Sequence, residues 1–248
     1  MQQNDIFSQF QKFLHETEGD FHILEQRVPV AVQKEYFELS SRLRKSPPRL
    51  READCEKYLT QLRLPDTPAK QKKQLLSTLA VSMQAKAYGV LKQYVEECDP
   101  ELSHWAYMAL MESRMTLESE LSDEKKIYIS TGLGGEGQRL RFFILLISSS
   151  DAPFQTYQRQ VIEREFAYFL SRENGKIERL TIREKHVELL VLLPLRTNLK
   201  YLLEKTIREC NQYGNFLSEN ITITNVKELN GDEIANILQM YGSHQAGS

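Results

Sequence analysis

Residues 176–195, KIERLTIREKHVELLVLLPL, hold two strands of different character. The first, about 176–184, sets Ile177, Leu180 and Ile182 among charges, the pattern of an edge or half-exposed strand. The second, about 186–194, is mostly apolar, as a central strand covered on both faces must be. Before this pair lies a helix carrying Phe154, Tyr157, Val161, Ile162, Phe166, Phe169 and Leu170. Asp151-Ala-Pro153 opens it, and Asn174–Gly175 closes it. After the pair, Thr197 caps a second helix with Leu199, Leu202, Leu203, Thr206, Ile207 and Cys210 on one face, ended by Gly214. A Phe/Ile/Leu-rich strand over 139–148 precedes all of this, and the β-branched run Ile221–Val226 follows it. The order from Arg139 onward is therefore β-α-β-β-α-β.

Over about 139–228 that order resembles ferredoxin-like and ACT-like regulatory domains. The resemblance rests on element order and implies a ferredoxin-like sandwich. Lys126–Ser130 reads as an additional strand, and a hairpin with the strand beginning at Arg139 is one pairing open to it. Asp232 starts a short closing helix with Ile234, Ile237, Leu238 and Tyr241 on one stripe. A helix of that length is marginal alone and must bury its stripe, preferably within its own chain. The polar ending, 243–248, reads as a frayed, disordered tail.

The front half obeys a different grammar. Residues 5–17 and 28–44 read as amphipathic helices separated at Gly19–Asp20. From 52 to 121 the pattern is almost continuously helical, punctuated by Thr67–Pro68 and Asp99–Pro100, each a cap followed by proline. The helix after Asp99 places Leu102, Trp105, Ala106, Ala109, Leu110 and Ser113 on one face. The segment LLSTLAVSMQAKAYGVLKQYVEECDPELSHWAYMALMES, 75–113, resembles a HEAT-like α-solenoid, and the resemblance extends over about 52–121. It implies short-linked antiparallel helices that present their faces to protein partners. The expected fold class is α+β, with a helical domain over 1–122, a ferredoxin-like domain over 123–242 and the tail beyond.

Two local features are candidate sites. Gly132, Gly134, Gly135 and Gly137 spell a literal G-x-G-x-x-G, a pattern whose amides can approach a pyrophosphate when a helix follows. Here a strand follows, and the other kinase and Walker A motifs are missing. The loop is then either a structural hairpin or an anion- or partner-binding loop assisted by Arg139 and Arg141. The second feature is the basic stretch Arg42, Arg44, Lys45, Arg49 and Arg51 around Pro47–Pro48. It reads as a solvated linker with the capacity to attract phosphate or an acidic partner.

Other chemistry is sparse. No H-E-x-x-H, Cys/His pairing or G-x-S-x-G elbow is present, so no catalytic residue, metal ligand or cofactor is expected. The third strand of the β-α-β-β-α-β plan carries no aromatic for base stacking, contrary to the RNA-recognition pattern. Net charge is −2, spread almost evenly along the chain, so nucleic acid is an unlikely partner. No leader or membrane-spanning run is visible, and Cys55, Cys98 and Cys210 are few and widely spaced, which suits a reducing cytoplasm. The expected function is a non-catalytic interaction or regulatory protein whose helical region binds a protein partner, with self-association possible. A phosphate or nucleotide ligand at 131–141, or association with RNA or the ribosome, are the alternatives.

Overall fold

The apolar runs and caps assemble, in a computed structural model describing residues 20–46, 50–121 and 126–245, into an α+β architecture. In chain order the elements are β1 (Asp20–Ile23), α1 (Val30–Lys45), α2 (Glu52–Arg63), α3 (Ala69–Ala80), α4 (Ala85–Glu97), a 3-10 turn (Pro100–Leu102) and α5 (Ser103–Leu121). They continue with β2 (Lys126–Ile129), β3 (Gly135–Glu136), β4 (Arg139–Ser148), α6 (Thr156–Arg172), β5 (Lys176–Ile182), β6 (His186–Pro194), α7 (Leu199–Asn211), β7 (Leu217–Thr224) and α8 (Gly231–Gln245). Two compact units result: Val28–Ile127 is helical, and the described residues 20–27 and 128–245 form the other. The sequence pattern places all of 1–122 in the helical domain. Residues 20–27 instead join the sheet unit, because β1 finds its partner in β2.

In the sheet unit every neighbour in the main sheet is antiparallel, in the order β7-β4-β6-β5 with β3 added beside the start of β4. This is the split βαβ arrangement expected from the element order. Phe143 lies opposite Leu190 and Ile144 opposite Leu189, so alternate residues of β4 and β6 serve opposite faces. Both faces are covered, and the two central strands are apolar almost throughout. Helices α6 and α7 pack together, α6 also against β5 and α7 against β7. On the other face, Ile234 of α8 completes a cluster with Leu133, Phe143, Leu145 and Leu190, flanked by Leu229, Ile237 and Leu238. The closing helix thus docks within its own chain. Burying a side chain such as Phe143 stabilises the unit by roughly 1.5–3 kcal/mol.

Several boundaries differ from expectation for physical reasons. Lys126–Ile129 does not form a hairpin with β4; β1 pairs with it, and Gly135–Glu136 takes the hairpin position. Asp151 is no helix cap: its carboxylate holds Lys185 Nζ at 2.6 Å, and Gln155 caps α6 with Gln158. Asn198, not Thr197, caps α7 by accepting the Tyr201 amide at 3.1 Å. Helix α8 begins with an Asn230–Glu233 capping box and runs to Gln245, into the stretch expected to be frayed. The predicted helix over 5–17 lies outside the described residues.

In the helical unit, α5 packs against α1, α3 and α4, while α2 packs against α3 and α4. Trp105 and Tyr36 are buried edge to face, with ring centroids 5.2 Å apart. Trp105 Nε1 donates to Ser77 Oγ at 3.1 Å and the Lys73 carbonyl at 3.2 Å, so burying its polar edge leaves nothing unpaired. Pro68 rather than Thr67 is the cap of α3; Thr67 Oγ1 donates to the Gln61 carbonyl at 2.8 Å. Asp99 heads the 3-10 turn without capping it, its carboxylate taking the buried Lys72 Nζ at 3.0 Å.

Candidate functional site

The glycine loop is a backbone crossing inside the sheet unit. Thr131 to Gly135 are buried, while Glu136, Gly137 and Gln138 are exposed. The Leu133 amide donates to the Asn225 carbonyl at 3.0 Å, and the Gly134 amide to the Thr131 carbonyl at 3.2 Å. Gly135 donates to the Glu25 carbonyl at 3.1 Å, and Gly137 to Glu25 Oε1 at 2.8 Å. These four amides, the groups a phosphate would need, are held by the chain itself. A Cβ on Gly132 would lie 1.8 Å from the Val226 carbonyl oxygen; one on Gly134, whose φ is +65°, would lie 2.2 Å from that of Glu25. The glycines are required by close backbone approach. Gly137 differs: it faces open space at φ +58° and occupies the first position of the two-residue turn linking β3 to β4.

The arginines beside the loop are engaged. Arg141 contacts Glu178 through Nε at 2.5 Å and Nη2 at 2.8 Å, and its Nη1 donates to the Leu133 carbonyl at 2.7 Å. Arg139 is half-buried opposite Glu136 in the same hairpin. Lys176 pairs with Glu136 at 3.0 Å, and Glu228 is shared by Arg27, at 2.6 Å, and Arg179. The Arg141 hydrogen bond and charge hold the Glu178 carboxyl below its ordinary value of 4.5. A depressed folded pKa contributes stability that is complete above the unfolded value and lost as pH falls through the folded one. Glu178→Gln should therefore flatten the acid limb of the stability curve. Parallel urea-midpoint curves for the two proteins below pH 4.5 would refute this.

A second polar constellation, missed from sequence, lies in the helical unit. Glu112 of α5 is only 7% exposed. Its Oε2 accepts Tyr36 Oη at 2.5 Å, its Oε1 accepts Ser40 Oγ at 2.5 Å, and Arg44 Nε stands 3.2 Å from Oε1. Tyr36, Ser40 and Arg44 recur every fourth residue on α1, so one helix stripe presents three donors to one carboxylate. Burial, then the Glu112 charge and hydrogen bond, push the Tyr36 hydroxyl well above its ordinary 10.0. The available signal was the polar 36/40/44 stripe together with an acid inside the apolar pattern of α5.

The basic stretch is divided among several partners. Arg42 Nε donates to the Glu38 carbonyl at 3.3 Å, Arg44 reaches Glu112, and Arg51 brackets Asp54 at the start of α2. Lys45 is exposed at the end of α1, and Arg49 lies outside the described residues. An open groove of about 370 Å³ between α7 and β7 is lined by Glu204, Ile207, Arg208, Asn211, Asn215, Glu219 and Ile221, a set with no thiol, hydroxyl or imidazole. Among the described residues, no group of three or more His, Cys, Asp or Glu could hold a metal ion. No described helix is long and apolar enough to cross a membrane.

No family model and no curated protein matches the chain. Among solved structures it is similar to the REP-associated tyrosine transposase bound to a REP hairpin. The match has 10% identity, covers 51% of this chain and 74% of that one, and has a TM-score of 0.33. The likeness is slight. That protein is bound to a REP hairpin, which runs against the sequence-based expectation that nucleic acid is an unlikely partner, and that expectation is not carried further. At this TM-score the likeness carries no argument for what this chain binds.

Proposed function

We propose that the protein is a non-catalytic interaction or regulatory protein whose helical unit docks a protein partner. The observation carrying this reading is on α1, where Val30 and Phe37 are 45% and 42% exposed. They stand seven residues apart, two helical turns along one outward stripe, a spacing used by helices that dock by an apolar face. The glycine-loop amides, already bonded within the chain, favour a protein surface over a phosphate ligand as the working site. Three free cysteines, Cys55, Cys98 and Cys210, support a reducing cytoplasm as its location.

The test is affinity capture from cell extract with the full chain and with a Val30→Ser, Phe37→Ser variant, with and without nuclease, read by mass spectrometry. Proteins retained through nuclease treatment and lost with the variant are the expected result. Capture that nuclease abolishes, or that the variant leaves unchanged, would overturn the reading.

A further inference from the structure

The main sheet ends on two outer strands, β5 and β7, and the two are guarded differently. An outer strand presents a row of unpaired amides and carbonyls, which proteins ordinarily blunt with charge, proline or a bulge. Strand β5 carries Lys176, Glu178 and Arg179 along its length and a register shift between Ile177 and Arg179. Strand β7 has no such device over Ile221–Thr224, where its register against β4 is unbroken and its one charge, Glu219, lies before the run. Among the described residues no strand pairs with the outer side of β7. The Asn220 amide donates within its own strand, to Ser218 Oγ at 3.1 Å.

Sheet geometry fixes what each side chain of this run offers. Thr222 and Thr224 lie opposite Leu145 and Phe143, whose face α8 covers. Ile221 and Ile223, opposite Leu146 and Ile144, turn to the other face, where Ile221 lines the groove with Glu204, Ile207 and Arg208 of α7. All four strand residues are only half-buried. Among the described residues Arg208 has no ion pair, and Glu204 has Lys200 at 3.8 Å.

These features are self-complementary about a two-fold axis, and that decides the occupant. An axis at Thr222 sets β7 antiparallel to its own copy: threonine meets threonine, Ile221 meets Ile223, and Glu219 meets Asn225, with no like charges opposed. The same axis runs the two α7 helices in opposite directions, so that their Glu204–Arg208 stripes lie acid toward base. A foreign strand would have to supply both matches separately, whereas a copy supplies them by symmetry.

We propose that β7 is a self-association edge, on which a second copy of the chain adds its own β7 and continues the sheet across a two-fold axis. The contact lies wholly in the sheet unit and asks nothing of the α1 surface.

Sedimentation equilibrium of the full chain should give twice the mass of one chain, dissociating on dilution. Thr222→Lys sets like charges opposite each other at the axis, and Arg208→Glu sets acid against acid between the helices. Each should weaken the dimer about 10-fold or more while circular dichroism stays that of the parent. Exchanging the pair, Glu204→Arg with Arg208→Glu, should restore it. A parent chain that stays monomeric at every concentration would sink the edge contact, even if β7 then accepted a strand from another protein. So would a dimer indifferent to both single variants, or one that the exchange leaves weakened.

Discussion

Gly134→Ala is expected to destabilise the sheet unit by roughly 2–5 kcal/mol. Two effects add. The residue sits at φ +65°, a left-handed conformation that costs an L side chain about 1–2 kcal/mol. Its new methyl would also lie 2.2 Å from the Glu25 carbonyl oxygen and 2.7 Å from that of Gln26, both backbone atoms that no rotamer change can move aside. Gly137→Ala supplies the control. It has the same sign of φ but open space around it, so only about 1 kcal/mol is expected. Urea denaturation followed by circular dichroism measures both. Equal midpoints for Gly134→Ala and the parent would show that the glycines are not held by the crossing.

Ile234→Asp should have a comparable effect by a different route. Ile234 is 6% exposed and packs on Leu133, Phe143, Leu145 and Leu190. Losing a buried isoleucine costs about 2–5 kcal/mol, and a carboxylate at that position meets no basic group in the cluster. The helix should lift off rather than bury the charge, exposing that face of the central strands. Dye binding to the exposed apolar face should rise as the melting temperature falls by roughly 5–15 °C. Ile234→Val, with its smaller deletion, should lose no more than about 1.5 kcal/mol. A variant that melts with the parent and binds no dye would refute the docking of α8 as a stabilising contact.

The legibility of the sheet unit in the sequence follows from residue chemistry. Val187–Leu193 reads as a central strand because both faces are covered, and Lys176–Ile182 as an edge because charges alternate with apolar residues. Ile221–Thr224 was visible through its β-branched residues, but β7 begins earlier, at Leu217. The polar Ser218-Glu219-Asn220 hides that start; the strand is extended there because Leu217 pairs with Ser148 across a register shift. Asp20–Ile23 was invisible for another reason. Four residues carry too little pattern to declare a strand, and this one exists through a partner remote in sequence. The cluster around Glu112 is hidden in the sequence because hydrophobic periodicity detects apolar faces, whereas α1 turns hydroxyls and an amide inward. Strand β4, not a helix, follows the glycine motif. The acceptors of the Leu133, Gly135 and Gly137 amides lie on Asn225 and Glu25, about 100 residues away on either side, which no local pattern encodes.

The split of the sheet unit across the helical one sets an order of events during synthesis. β1 leaves the ribosome about 100 residues before β2, which at roughly 5–20 residues per second is a wait on the order of 5–20 s. The helices, built from local contacts that form in microseconds to milliseconds, have time to assemble within that interval. Through the same interval Asp20–Ile23 has no strand to pair with, and Glu25 has no glycine amide to accept. The nascent chain therefore carries an unsatisfied strand through the whole translation of Val28–Ile127, and closure of the crossing around Gly134 falls among the last steps of folding.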